Sequence, residues 1–196
     1  MEKISGIILA GGRGSRMGGV DKGLQPFRGR PLIAHVVERF SPQVADVLIN
    51  ANRNLAEYAA FGHPVIADED DDYAGPLAGL YAGMRQAREP LIATAPCDSP
   101  FLPLDLVARL LAALQRERAE VAVAKTLDQP HPVFCLARSS LAPHLHAFLN
   151  SGQRKFDRWY AGLNMVEVHF DDQVAAFSNI NTIDELTAPG QSSPPR

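Results

Sequence analysis

The sequence predicts an α/β fold in which a mostly parallel β-sheet carries helices on both faces. Three observations support this class. Short apolar runs alternate with segments of helical periodicity along most of the 196 residues, as in strand–helix–strand units. Prolines open two of the helical segments, at Pro31 and Pro76, where the missing N–H costs nothing. A glycine-rich stretch follows the first apolar run, and ligands bind beyond the carboxyl ends of strands in such folds.

The elements follow in order along a predicted single domain of residues 1–188. Apolar runs predict strands at residues 4–10, 46–52, 64–68, 90–98, 120–125, 132–138 and 164–170. Helices are predicted at 31–40 and 76–88, from Pro103 onward, at 139–149 and 153–161, and from Thr182. In the helix from Pro103, apolar residues recur at helical spacing at Leu104, Val107, Leu111 and Leu114. Residues 189–196 are rich in proline and serine and are predicted to be a disordered tail.

Composition excludes several classes of protein. The hydrophobic fraction of 46% and the charged fraction of 21% are those of an ordinary globular domain. A formal net charge of −3 argues against sequence-independent binding of nucleic acid, which needs a basic surface. No apolar run approaches the roughly 20 residues of a membrane span, and the first run is short enough to predict a strand in place of a signal peptide. Two cysteines form no disulfide framework or metal motif, so we expect a cytoplasmic protein.

The stretch from Leu9 to Lys22, LAGGRGSRMGGVDK, predicts a phosphate-binding loop. It lacks the third glycine of a dinucleotide fingerprint and the G-K-[ST] ending of a P-loop. Its glycines nevertheless let backbone amides approach an anion. Arg13, Arg16 and Lys22 add about three positive charges, comparable to the charge of a triphosphate. The alternative is a glycine-rich connection whose cations are only solvated.

Asp98 is the second candidate site residue, because it follows the predicted strand 90–98 at the edge where the loop also lies. A Mg²⁺ ion on phosphates takes one or two carboxylates and keeps several waters, so one aspartate suffices. An aspartate in this position can also be a helix cap or a turn residue. Asp68 follows another predicted strand, with Asn50 nearby, and could contact a ligand at the same edge. Its alternative is a solvated turn in the acidic run 68–72.

The loop pattern L-A-G-G-x-x-x-R-M-G-x-x-K resembles the signature of the MobA-type molybdenum cofactor guanylyltransferases. Further matches follow in order as NAN at 50–52, GPLAG at 75–79, PCD at 96–98 and NINT at 179–182. The resemblance implies a three-layer, Rossmann-like nucleotidyltransferase fold. It also implies that the enzyme transfers GMP from GTP to the terminal phosphate of molybdopterin, with Mg²⁺ as cofactor and release of pyrophosphate.

The resemblance also implies roles for individual residues. Those matched to nucleotide binding are Leu9, Ala10, Gly11, Gly12, Arg13, Lys22, Asn50, Asp68 and Asp98. Arg16, Lys22 and Asp98 are the expected catalytic residues, and Asp98 is the expected Mg²⁺ ligand. Asn179 and Asn181 match positions that hold molybdopterin. The basic residues Arg154 and Lys155 are further candidates for its phosphate, although a solvated helix face is the default explanation for them.

Other readings of the sequence remain open at this point. The nearest is a CTP-dependent cytidylyltransferase for the same pterin, and Gly11–Gly12 favours the guanylyl branch over it. A sugar-phosphate nucleotidyltransferase and a non-catalytic nucleotide-binding module are more distant. The family implies contact with molybdenum-insertion proteins and target molybdoenzymes, and we expect a monomer or weak oligomer. His131, between two prolines, is predicted to lie in a loop.

Overall fold

A computed structural model of the chain describes residues 2–10, 21–69 and 75–180. The strands are β1 (Ile4–Leu9), β2 (Pro26–Phe27), β3 (Arg30–Pro31), β4 (Asp46–Asn50), β5 (Val65–Ile66), β6 (Leu91–Pro96), β7 (Val121–Thr126), β8 (Gln129–Arg138) and β9 (Met165–His169). The helices are α1 (Leu32–Phe40), α2 (Leu55–Ala59), α3 (Pro76–Gln86), α4 (Leu106–Arg116), α5 (Ala142–Asn150) and α6 (Phe156–Tyr160). Short 3₁₀ helices span Lys22–Leu24, Ser41–Gln43, Ser139–Leu141 and Asp171–Phe177.

Seven strands form one central sheet in the order β5-β4-β1-β6-β8-β7-β9. Strand β8 is antiparallel to β6 and β7, whereas the other neighbouring pairs of this sheet are parallel. Six strands therefore end at the same side of the sheet, which we call the carboxyl edge. Strand β8 starts at this edge, because its first residues pair with the last residues of β7.

Helices cover both faces of the sheet, which makes three layers. On one face, α1 and α4 bury Ile33, Val36, Phe40, Leu106 and Leu110 against Ile4 and Ile8 of β1. On the other face, α3, α5 and α6 bury Leu80, Leu145 and Trp159 against Ile7 and Leu9. The alternation along β1 follows from the two-residue period of a strand, and burial on both sides explains its largely apolar sequence. None of the helices in the described ranges is long and apolar enough to cross a membrane.

The predicted fold class is confirmed, since the sheet is mostly parallel and lies between two helical layers. The helix predicted from Pro103 begins later, at Leu106, and the Leu104 side chain is 65% exposed because it precedes the helix. The prediction that His131 lies in a loop is wrong, because strand β8 begins at Gln129 and includes it. The helix predicted from Thr182 and the tail 189–196 lie outside the described residues.

Strand β8 deviates from regular pairing between its two halves. Cys135 pairs with Val123, but His131 pairs with the next residue of β7, Ala124, so residues 132–134 bulge out of the ladder. Two side chains donate hydrogen bonds to the bulged backbone, Thr94 to the carbonyl of Val133 and Tyr160 to the carbonyl of Pro132. Such a bulge redirects the first half of the strand. Of the two prolines that predicted a loop, Pro132 lies in this bulge, whereas Pro130 pairs with Lys125.

Candidate active site

The predicted site residues converge where the central strands end. The backbone N–H of Ala10 donates to the carbonyl of Asn50, and that of Cys97 donates to the carbonyl of Leu9, with N–O distances of 2.8 and 3.1 Å. These bonds continue the parallel ladders one residue beyond β1 and β6. Leu9 and Ala10, both buried, therefore lie between the segment after β4 and the segment that carries Asp98. This is the place at which open α/β sheets bind ligands.

Lys22 and Asp98 form an ion pair across 76 positions of sequence. The Lys22 ammonium lies 3.4 Å from Oδ2 of Asp98, whose side chain is only 14% exposed. Burial raises the pKa of Asp98, and the nearby Lys22 charge opposes that rise. A carboxylate that has lost most of its water is stabilised by any additional cation that reaches it. The arrangement suits a charged ligand held between the loop and the end of β6.

The backbone that leads to Lys22 is fixed from the other side by Asp21. Tyr58 donates its hydroxyl hydrogen to Oδ1 of Asp21, and Asn54 donates from Nδ2 to Oδ2 at 3.0 Å. Burial raises the pKa of Tyr58 far above its ordinary value, so the phenol stays a donor. At Gly23 an added Cβ would lie 2.6 Å from the Tyr58 hydroxyl oxygen, which explains why no side chain fits there.

Three polar side chains meet at the ends of β4 and β5. Asn50 donates from Nδ2 to Oδ1 of Asp68 at 2.9 Å, and Asn52 donates from Nδ2 to Oδ2 at 2.8 Å. The backbone N–H of Asp68 donates back to Oδ1 of Asn52 at 2.8 Å. Burial raises the pKa of Asp68, while the two amide donors lower it by stabilising the carboxylate. We call Asn50, Asn52 and Asp68 the amide–carboxylate cluster.

The carboxylate of the cluster keeps capacity to accept further hydrogen bonds. Two oxygens offer about four lone-pair positions, and the two amide donors use one on each oxygen. A ligand that presents two N–H groups side by side can therefore be received by both oxygens. The alternative for Asp68, a plain solvated turn, does not explain why both of its carboxylate oxygens accept hydrogen bonds from asparagine side chains.

Asn179 lies beside the segment that carries Asp98, and its predicted role in holding molybdopterin stays a prediction. The Ser99 hydroxyl donates to Oδ1 of Asn179 at 2.5 Å, and the N–H of Ile180 donates to the carbonyl of Asp98 at 3.0 Å. The end of the described chain thus runs alongside the segment after β6. Ser99 is fully buried and had no role in the sequence prediction.

The other candidates for the acceptor side have different surroundings. Arg154 donates from Nη1 to the carbonyls of Leu149 and Gln153, both at 2.7 Å, and so covers the carboxyl end of α5. Lys155 directly precedes α6. Their assignment to the pterin phosphate stays a prediction.

His131 lies near the start of β8, at the carboxyl edge. Its Nε2 is 2.7 Å from the Thr126 hydroxyl, and its ring stacks on Phe177 with centroids 4.6 Å apart. Burial lowers the pKa of His131, which favours the neutral ring. Since Phe177 is two residues before Asn179, His131 supports the segment that reaches Asp98.

Several predicted site residues lie outside the described residues, and their roles stay predictions. They are Gly11, Gly12, Arg13, Arg16 and Asn181. Among residues 2–10, 21–69 and 75–180, no group of three or more His, Cys, Asp or Glu side chains could hold a metal ion. A single buried carboxylate such as Asp98 fits an ion that takes its remaining ligands from phosphates and water.

Sequence reasoning assigned no individual role to Asn52, Asp21, Tyr58 or Ser99, although the NAN motif at 50–52 contains Asn52 and the loop motif from Leu9 to Lys22 contains Asp21. For Asn52 a signal was present, because Asn50 and Asn52 are two residues apart and therefore point to the same side of an extended chain. The N–H of Ala51 donates to the carbonyl of Ile66, so the chain is still paired at this point. Asp21 and Tyr58 are 37 positions apart, so no local sequence pattern predicts their contact.

Comparisons with known proteins agree with this geometry. The family model described as a MobA-like NTP transferase domain matches residues 6–166. Molybdenum cofactor guanylyltransferase of Cupriavidus taiwanensis is 55% identical over 192 residues, covering 95% of this chain and 96% of the relative. The protein of the same name from Ralstonia nicotianae is 56% identical over 192 residues, covering 93% and 94%.

Solved structures give the same result. The chain resembles the crystal structure of molybdopterin-guanine dinucleotide biosynthesis protein A from Archaeoglobus fulgidus, with a TM-score of 0.78 and 26% identity, covering 93% of this chain and 94% of that one. The family model covers well over half of the chain, and the named relatives align over nearly their whole length. This chain therefore belongs to the family of MobA-like NTP transferases.

Proposed function

We propose that this enzyme transfers GMP from GTP to the terminal phosphate of molybdopterin and releases pyrophosphate. The observation that carries the proposal is the partly buried Lys22–Asp98 ion pair at the carboxyl edge, with the amide–carboxylate cluster after the neighbouring strands β4 and β5. The relatives at 55% and 56% identity bear the name of this activity. Their guanylyl designation supports GTP over the CTP-dependent alternative.

The reaction needs positioning and charge stabilisation more than a strong base. An oxygen of the acceptor phosphate, already anionic near neutral pH, forms a bond to the α-phosphorus of GTP. The bond from that phosphorus to the bridging oxygen breaks, and its electron pair leaves with pyrophosphate. Lys22 lies beside Asp98 and can offset negative charge on the phosphates. Arg13 and Arg16 are proposed to assist from the loop.

Asp98 would hold Mg²⁺ in this site. Its carboxylate is largely buried and lies beside Lys22, so the donor fits an ion shared with phosphates. The bound ion would neutralise charge on the phosphate oxygens. Two backbone hydrogen bonds hold Asp98 in place from both sides. The N–H of Cys97 donates to the carbonyl of Leu9, and the N–H of Ile180 donates to the carbonyl of Asp98.

Asp68 is proposed to read the guanine base. Its carboxylate can accept N1–H and the exocyclic N–H of guanine together, whereas adenine and cytosine do not present two such donors side by side. Asn179 and Asn181, with Arg154 and Lys155, are proposed for the pterin side. We further propose a cytoplasmic monomer or weak oligomer that meets molybdenum-insertion proteins and apoenzymes. Two buried, free thiols suit a reducing compartment.

A transfer assay with GTP labelled at the α-phosphate tests the proposal. Purified protein is incubated with Mg²⁺, molybdopterin and GTP, CTP or ATP, and the dinucleotide product is separated and counted. We expect product from GTP, and Asp98→Ala should lower the rate by about a hundredfold.

Asp46→Ala is the matched control, because Asp46 is also an aspartate with a buried oxygen but begins β4 at the opposite edge of the sheet. It should keep its rate within about twofold. Product formed from CTP in preference to GTP would move the enzyme to the cytidylyl branch. Absence of product with every nucleotide would leave a binding module and refute the proposal.

A further inference from the structure

We infer that Asn52 is a positioning residue that fixes the Asp68 carboxylate for guanine and thereby sets the preference for a base that carries a 2-amino group. The inference rests on the proposed function, since it presumes that GTP occupies this site. It assigns a specificity role to a side chain that follows the end of β4.

Asn52 holds Asp68 at two points. The Asn52 amide nitrogen donates to Oδ2 of Asp68, and its amide oxygen accepts the backbone N–H of the same residue, both at 2.8 Å. One side chain thus bonds both the main chain and the carboxyl group of Asp68. This closes a ring that restricts rotation of the aspartate about its side-chain torsions. A ring of this kind fixes the direction in which the carboxylate faces.

The second amide of the cluster cannot do this alone. Asn50 is buried, and its Nδ2 donates to Oδ1 of Asp68 at 2.9 Å and to the carbonyl of Ile66 at 3.4 Å. Those two acceptors fix the orientation of the Asn50 amide. It therefore holds one oxygen of Asp68, and the carboxylate could still turn about that contact. Asn52 removes this freedom by holding the other oxygen.

Helix α3 supports the cluster from behind at Gly79. An added Cβ at Gly79 would lie 2.2 Å from Oδ1 of Asn50 and 2.7 Å from a methyl of Leu9. The helix can approach only because this position has no side chain. A methyl group there would push the Asn50 amide toward Asp68 and disturb the same cluster from the opposite direction.

The orientation of the Asp68 carboxylate determines whether it prefers guanine to hypoxanthine. Guanine presents N1–H and a 2-amino N–H side by side on one edge, and a carboxylate accepts both when its two oxygens face that edge. Hypoxanthine presents only N1–H, so it can use one oxygen and tolerates a rotated carboxylate. Loss of Asn52 should therefore weaken the binding of GTP more than the binding of ITP. Asn52 itself has both its amide oxygen and an N–H engaged by Asp68, so it acts through the aspartate.

Titration calorimetry of the full-length protein with Mg²⁺-GTP and Mg²⁺-ITP tests the inference. We expect Asn52→Ala to lower the affinity for GTP by about tenfold and the affinity for ITP by less than about threefold. The larger loss corresponds to that of a hydrogen bond to a charged group. Asn52→Asp keeps the shape and the acceptor but loses the donor and adds a like charge. It should lower the GTP-to-ITP preference more than alanine does.

Gly79→Ala should also lower the GTP-to-ITP preference. Gly83→Ala is its matched control, because the added Cβ lies on the same helix but meets the Ile7 side chain in the apolar core. Asn164→Ala is the control for Asn52, since Asn164 is an equally exposed asparagine that donates to the carbonyl of Arg118. Both controls should keep the wild-type preference.

The outcomes separate this inference from the proposed function. A wild-type protein that binds GTP more tightly than ITP, with an unchanged preference in Asn52→Ala and Asn52→Asp, would overturn the inference alone. Equal loss of GTP and ITP in these variants would also overturn it, because it would indicate a structural role. A wild-type protein that binds neither nucleotide would overturn both.

Discussion

Replacing Tyr58 by phenylalanine tests whether the support beneath Lys22 matters for both stability and nucleotide binding. Tyr58 is fully buried, and its hydroxyl donates to Asp21, the residue next to Lys22. The substitution keeps the ring and removes one hydrogen bond to a carboxylate. Such a bond contributes about 2 kcal/mol, because one partner is charged. For a chain of this length that corresponds to a fall in Tm of roughly 6 °C.

Tyr160→Phe provides the comparison. Tyr160 is also buried, but its hydroxyl donates to the neutral carbonyl of Pro132 at 2.8 Å, on the β8 bulge. We expect a loss of about 1 kcal/mol there and no change in nucleotide affinity. Tyr58→Phe should in addition weaken binding of Mg²⁺-GTP several-fold, since the Asp21 carboxylate would lose its bond from Tyr58 while keeping the one from Asn54, and Lys22 would be less well placed.

The assays are chemical denaturation followed by circular dichroism and calorimetric titration with Mg²⁺-GTP. Both variants should unfold in a single transition with unchanged denaturant dependence, so that the two free energies of unfolding can be compared. If Tyr58→Phe matched Tyr160→Phe in stability and bound GTP as the wild type does, the argument that Asp21 positions Lys22 would be refuted.

Three further predictions follow from the site. Lys22→Ala should lower the rate of GMP transfer by about a hundredfold and weaken Mg²⁺-GTP in calorimetry, and an unchanged rate would exclude Lys22 from catalysis. Asp68→Asn should remove the preference for GTP over ATP in competition binding, because an amide offers one acceptor oxygen and sets its NH₂ donor against the second N–H of guanine; retained preference would place base recognition elsewhere. The pKa of His131 is lowered by burial, so below about pH 6.5 the unfolded chain binds a proton that the folded chain does not. Stability should therefore fall as the pH drops through this range and down to the folded-state pKa, and denaturation at several pH values should show a smaller fall for His131→Gln.

Much of the fold could be predicted from the sequence because its signals are local. The continuous apolar run of β1 and the helical spacing in α4 depend on residues a few positions apart. The hairpin of β2 and β3 and the short helix α2 were missed, since each is only a few residues long and has no apolar period to detect. The reversed direction of β8 also escaped prediction, because strand order depends on pairing between distant segments.

The candidate site divides in the same way. Lys22, Asp68 and Asp98 were found from the sequence, since each follows a predicted strand or belongs to a recognisable loop motif. Asn52 and Tyr58 were not, although both now have defined partners in the site. Their importance depends on which side chain lies opposite them, and that side chain is 16 or 37 positions away.

The sequence by itself thus determined the α/β class and the family resemblance, and it predicted a phosphate-binding loop. Composition, short-range periodicity and motif spacing are properties of the chain before it folds. Only the tertiary structure decided that Lys22 meets Asp98 and that two asparagines hold Asp68. The physical reason is that the parallel order β5-β4-β1-β6 brings the ends of separate strands to one edge. Contacts made there depend on the packing of the whole sheet and on no single stretch of sequence.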